Sequence, residues 1–151
     1  MNERAQKIGM KDTVFHSVHG LPPGRGQLPD VSTPRDIAKL CLELLKNPDT
    51  LRYTSTWRRH FRTEAKVPFL LENRNPLIKT MDGCDGLKTG FFWAAGFSIA
   101  ATAVDEGNRA VAVVLGAKSQ KVRDKKAEKM LKEGLRKLRS SPAGSSPASS
   151  R

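Results

Sequence analysis

Residues 81–101 read MDGCDGLKTGFFWAAGFSIAA, and within them Lys88-Thr89-Gly90 sets a fixed cation, a hydroxyl and a residue without a Cβ in a row. On a strand, such a glycine lets another chain lie close against the backbone. As a bare tripeptide the pattern is common by chance, and Lys88 by itself reads as a solvated strand-edge lysine. The other groupings able to do chemistry are weaker. His16-x-x-His19 has the look of a metal pair, but no third ligand is placed near it, so a loop role fits it better and no metal is expected. Asp82 and Asp85 resemble paired carboxylates only in sequence, because an odd spacing on a strand sends them to opposite faces. The basic aromatic run WRRHFR at 57–62 could stack on and neutralise nucleic acid, yet one short patch is thin support and no nucleic-acid partner is expected. Arg123 is one of ten Lys or Arg between residues 118 and 139, most of them ordinary surface charges.

The chain that must position these groups has 151 residues, enough for one core that buries roughly 70% of the surface an unfolded chain exposes. Its formal charge of +12 and pI near 10.2 point to an anionic neighbour, whether nucleic acid, lipid surface or acidic polymer. Cys41 and Cys84 stand far apart in apolar contexts and read as small buried hydrophobes rather than a disulfide or a metal pair. No apolar run of about 18 residues is present, and MNERAQKIGM lacks the apolar stretch of a secretory signal. Neither a span nor an export signal is therefore encoded in this sequence.

Along the chain, residues 1–9 read as the last turns of a helix closed by Gly9, a beginning that looks cut from something longer. Gly and Pro crowd residues 20–29 into an irregular surface loop. A helix then starts with Thr33 as N-cap, Pro34 at the first helical position and Asp36 three residues after the cap. Its stripe is Ile37, Leu40, Cys41, Leu44 and Leu45, and Asn47-Pro48 ends it. Residues 49–80 are less regular. From Gly83 the period becomes two: strands are expected at 83–89, 95–104 and 109–117, with a hairpin turn at 105–108. The third is apolar on both faces and is expected centrally in a covered sheet. A last helix over about 119–139 places Val122, Ala127, Met130, Leu131, Leu135 and Leu138 on one side and packs on the sheet. The Ser/Pro-rich end, 140–151, can form no core and is expected to be disordered. The fold class is α/β (α+β): an antiparallel three-strand sheet with a packed C-terminal helix, plus a helical and loop portion.

Several ordered matches give Lys88-Thr89-Gly90 its context: HGL at 19–21, STPRDIAKL at 32–40, NRNPLI at 73–78, DGLKTGF at 85–91, AAGF at 94–97 and VVLGA at 113–117. In this order, over about residues 1–137, they resemble the serine-type D-alanyl-D-alanine carboxypeptidases, the low-molecular-mass penicillin-binding proteins of the beta-lactamase/transpeptidase-like superfamily. The resemblance implies a partial transpeptidase-like fold, with residues 1–139 as the C-terminal portion of the catalytic domain. It implies a hydrolase that removes the terminal D-alanine of peptidoglycan stem peptides outside the cytoplasmic membrane, without a cofactor. Beta-lactams would bind the full-length family member.

In that family a serine attacks the carbonyl between two terminal D-alanines, and water hydrolyses the resulting acyl-enzyme. The resemblance then assigns Lys88 as a fixed charge beside the nucleophile, Thr89 as a hydrogen-bond donor to the substrate's terminal carboxylate, and Gly90 as the gap that leaves the cleft open. It gives the Phe91 N–H half of the oxyanion hole and Arg123 a hold on the same carboxylate.

Two family motifs are absent from the 151 residues. No serine has Lys three places on, and none has Asn two places on, so the nucleophile is none of these serines. The family carries both motifs upstream of the point matching Met1, so the chain is expected to be inactive alone. Phe92 stands where the family usually has Thr, which removes a hydroxyl near the cleft. In the family's sheet the strand matching 109–117 also pairs with an N-terminal strand, so an unpaired apolar edge, marginal stability or self-association is expected here. The rival readings are a non-catalytic basic binding module for nucleic acid or an anionic surface, and a beta-lactamase-related hydrolase. The latter shares Lys-Thr-Gly but not the HGL and STPRD matches.

Overall fold

The computed structural model describes residues 1–140; the segment 141–151, and with it nearly all of the expected Ser/Pro tail, lies outside the described residues. The elements run α1 (Asn2–Lys7), α2 (Pro34–Leu44), α3 (Pro48–Thr54), β1 (Arg58–Phe61), β2 (Phe69–Glu72), α4 (Leu77–Thr80), β3 (Cys84–Phe92), β4 (Gly96–Asp105), β5 (Asn108–Ala117) and α5 (Gln120–Ser140).

The three expected strands form one antiparallel sheet in the order β3-β4-β5. Two residues, Glu106 and Gly107, join β4 to β5 with φ of 48° and 78°, the double positive-φ turn whose twist suits a hairpin. Alternation assigns each face its core. Ile99, Ala101, Ala103, Ala112 and Val114 meet Ala127, Leu131 and Leu135 of α5 on one side. Leu87 and Val113 meet Cys41 of α2, flanked by Ile37 and Leu45, on the other. The sheet is thus the middle of three layers, and the small alanines let α5 lie close upon it.

Three expectations need correction. β5 is covered on both faces, by α2 and α5, but it is the edge strand of the three, not a central one, because only its β4 side finds a partner among the described residues. On α5 the buried row is Arg123, Ala127, Leu131 and Leu135, one residue every fourth place. Val122 and Met130, each about 100° round the helix from a member of that row, are exposed, and so is Leu138. In α2, Leu44 is likewise exposed and the stripe closes at Cys41 and Leu45.

The cap of α2 forms as the sequence implies, with the Thr33 hydroxyl accepting from Asp36 N–H at 3.2 Å. The Asp36 carboxylate does more than occupy the first turn. Buried, it accepts from Asp12 N–H at 2.8 Å, the Thr13 hydroxyl at 2.9 Å and Lys39 Nζ at 2.9 Å, which ties the loop after α1 to α2. Burial opposes its charge, but these donors outweigh burial and hold the carboxyl below the usual aspartate range. Cys41 and Cys84 are free and buried, as their contexts imply.

The stretch 49–80, read as less regular, holds four short elements the periodicity hid, α3, β1, β2 and α4. Asn47 ends α2 and also caps α3, its side chain accepting from Asp49 N–H at 2.9 Å with Pro48 at the first helical position. The run WRRHFR becomes β1, paired from Arg58↔Glu72 to Phe61↔Phe69 with β2 and exposed on both faces. Its cations lie over its own rings: Arg58 over Trp57 at 5.7 Å, Arg62 over Phe61 at 5.5 Å. Among the described residues, no helix is long and apolar enough to cross a membrane.

Candidate active site

β3 carries the Lys88-Thr89-Gly90 run, and its beginning is clamped from several sides. Arg109 of β5 grips the Asp85 carboxylate with both terminal nitrogens, each at 2.8 Å. The Thr54 hydroxyl, at the end of α3, donates to the Asp85 carbonyl at 2.9 Å. Asn75 is buried, and its Nδ2 donates to the Gly86 carbonyl at 2.8 Å while its Oδ1 accepts from Leu77 N–H at 3.1 Å. Asn73 holds this clamp in turn, donating to the carbonyls of Thr54 and Thr56 and accepting from Asn75 N–H, all at 3.0 Å. Asp85 is therefore structural, while Asp82 sits exposed in the turn before the strand.

Beyond the clamp, one edge of β3 pairs with β4 in the register Lys88↔Ala100, Thr89↔Ile99, Gly90↔Ser98 and Phe91↔Phe97. Its other edge borders a cleft of about 740 Å³. Trp57, β2 and the segment on to Pro76 form the facing wall, and Gln120 and Arg123 of α5 close one end. All five residues singled out in the sequence, Lys88, Thr89, Gly90, Phe91 and Arg123, line this single space.

Each arrives differently. Leu87 anchors the strand under α2, so Lys88, on the opposite side, is exposed, and its Nζ donates to the Thr89 carbonyl. A Cβ built on Gly90 meets no atom within 4 Å, so no packing neighbour demands glycine there; the open volume is the cleft itself. The Phe91 ring stacks on Phe97 at 4.2 Å and meets Trp93 edge-on at 5.5 Å. Trp93, in the turn after β3, is 92% exposed.

Arg123 is only 3% exposed. The Ser119 side chain accepts from Val122 N–H at 3.2 Å, which fixes the first turn of α5 and aims the guanidinium at the cleft. Nε donates to Asp124 Oδ1 at 2.8 Å. Nη2 lies 2.7 Å from the same oxygen in an ion pair, though without hydrogen-bond geometry, so Asp124 holds the guanidinium from one side. A single carboxylate oxygen leaves most of the five guanidinium N–H donors available to an anion entering the cleft. The site therefore offers a guanidinium, an ammonium and a hydroxyl around one volume, the equipment to hold a carboxylate.

Sequence reasoning missed Arg74, Gln120 and Trp57 as cleft residues, because nothing in their local pattern marks them. The segment NRNPLI was noticed only as a match; its two asparagines turn out to be the clamp. His16 and His19 are exposed in the loop before α2, away from this cleft.

A model of the D-alanyl-D-alanine carboxypeptidase family matches residues 1–119. The chain is 36% identical over 131 residues to D-alanyl-D-alanine carboxypeptidase DacF of Bacillus subtilis, an overlap of 87% of this chain and 33% of DacF. It is 38% identical over 140 residues to DacD of Escherichia coli, covering 89% of this chain and 33% of that protein. It thus spans about a third of the length of the curated relatives it matches. Among solved structures, penicillin-binding protein D2 from Listeria monocytogenes in its cefotaxime-bound form aligns with a TM-score of 0.79 at 33% identity, over 89% of this chain and 53% of that one. The same protein is also similar in its ampicillin-bound form.

Proposed function

The chain belongs to the D-alanyl-D-alanine carboxypeptidase family, and from that premise we propose that residues 1–139 form the carboxylate-binding side of such an enzyme's catalytic domain. The substrate is a peptidoglycan stem peptide ending in D-alanyl-D-alanine, met outside the cytoplasmic membrane. The observation that carries this reading is the convergence of buried Arg123 with Lys88 and Thr89 on one cleft.

The terminal carboxylate takes Arg123 and the Thr89 hydroxyl, and the charge of Lys88 favours the anionic end. With that end fixed, the preceding carbonyl lies along the β3 edge, and its oxygen takes the Phe91 N–H as it becomes an oxyanion. A serine attacks this carbonyl, D-alanine leaves, and water hydrolyses the acyl-enzyme. The open space at Gly90 lets the peptide lie against the strand. A beta-lactam, which presents both a carboxylate and an acylating carbonyl, occupies the same groups.

None of the serines within the 151 residues belongs to a Ser-x-x-Lys motif, so the nucleophile comes from other residues of the working enzyme. A fluorescent penicillin tests this. The 151-residue chain stays unlabelled after denaturing electrophoresis, and joining it to a segment that carries Ser-x-x-Lys and Ser-x-Asn restores labelling that depends on Lys88. Labelling of the chain alone would mean that one of its own serines serves, and would overturn the assignment.

A further inference from the structure

We propose that the outer face of α5 is a docking surface for a lipid bilayer bearing anionic headgroups. The inference is independent of the catalytic reading, since it rests on a face the cleft does not use.

α5 runs 21 residues, about 31 Å, with Arg123, Ala127, Leu131 and Leu135 turned to the sheet. At 100° per residue, Lys121, Lys125, Lys126, Lys129, Lys132 and Arg136 gather on the opposite side, with Glu133 the one acid among them. Two of the six are partly neutralised along the helix, Lys132 by Glu128 and Lys129 by Glu133. Lys121, Lys125, Lys126 and Arg136 have no acidic partner among the described residues. Like charges this close along a helix repel one another. The row therefore costs stability in isolation and regains it against a negative surface.

Its shape favours a bilayer over a nucleic-acid strand. The pocket of about 570 Å³ that Lys121 and Lys125 border also carries Asp124 and Glu128, so it is no cationic groove for a strand, and α5 contains no aromatic residue on which a base could stack. Val122, 52% exposed, sits among them and adds an apolar contact that headgroups and upper acyl chains reward but a phosphate backbone does not. Each cation near such a surface adds roughly fivefold to the affinity. Because Arg123 faces inward, a molecule docked through this outer row keeps its cleft open.

Cosedimentation of the whole chain with vesicles tests the proposal. It predicts binding to mixed phosphatidylcholine–phosphatidylglycerol vesicles but not to pure phosphatidylcholine, and loss of binding at high salt. The K121Q/K125Q/K126Q/R136Q variant, checked for helix content by circular dichroism, weakens binding roughly hundredfold or more, and the pair K125Q/R136Q roughly twentyfold. K11Q/R25Q/R59Q/K66Q removes the same charge from other exposed sites and changes binding by no more than about threefold. No binding to the anionic vesicles, or equal weakening by the two quadruple variants, would overturn the proposal. So would displacement of the chain from vesicles by duplex DNA at equal phosphate concentration.

Discussion

At Gly83, just before β3, the backbone has φ of +75°, and a Cβ there would come within 2.1 Å of the Val104 carbonyl oxygen. Backbone strain and a clash with an immovable carbonyl coincide, so Gly83→Ala is expected to cost at least about 2 kcal/mol, measured as a lowered urea midpoint. Burial pushes the Cys41 thiol up to about 11, and Cys84 is raised by burial as well. At pH 8 both should stay protonated and covered, so Ellman's reagent reacts with neither in the folded chain and with both in urea. The strand that carries Lys88, Thr89, Gly90 and Phe91 was legible in the sequence, but their place in a cleft was not, since the bare tripeptide is common and only the ordered matches to a family singled it out. Arg123 was not legible from its chemistry. Nine other basic residues surround it in sequence, and only its seat in the buried row of α5 separates it from them, so resemblance alone pointed to it.

At the scale of elements, α2 depends on a carboxylate that ties it to the loop before it. The Asp36 carboxyl is held below the usual aspartate range, so its contribution is present above an ordinary aspartate pKa of about 3.9 and is lost as pH falls through its lower folded value. Thermal melts of the native chain should therefore weaken on acidification below about pH 4, and Asp36→Asn should lower the melting temperature near neutrality and flatten that acid limb. Asn75 does the equivalent for β3. Asn75→Ala strands the Gly86 carbonyl and Leu77 N–H, and chemical denaturation should report a loss of about 1–3 kcal/mol. The caps of α2, the β4–β5 turn and the extent of α5 could be read in advance, because each has a local signal. β1 and β2 could not, since RRHF and FLLE are exposed on both faces and show no alternation. Nor could α3, whose capping Asn47-Pro48 pair doubles as the stop of α2.

For the whole molecule, the decisive feature is a sheet covered on two faces and, among the described residues, open along the outer edge of β5. From Ala110 to Ala117 this edge carries no charge and no proline to discourage another strand. The chain should self-associate as concentration rises, more so when salt screens its charge of +12. Sedimentation velocity that finds a monodisperse monomer at high concentration, with one cooperative melt, would contradict this. The rank of β5 within the sheet was misread because apolar faces report burial, whereas pairing depends on backbone groups that a sequence pattern does not mark.

The central claim is that Arg123, Lys88 and Thr89 form a seat for the terminal carboxylate of a D-alanyl-D-alanine peptide. Its most direct test is an NMR titration of the chain with a blocked peptide ending in D-alanyl-D-alanine. The account predicts shifts confined to residues 88–91, Arg123 and the facing cleft wall, abolished by Arg123→Ala and absent with the C-terminal amide. Shifts elsewhere, or an amide that binds as well as the acid, would contradict it.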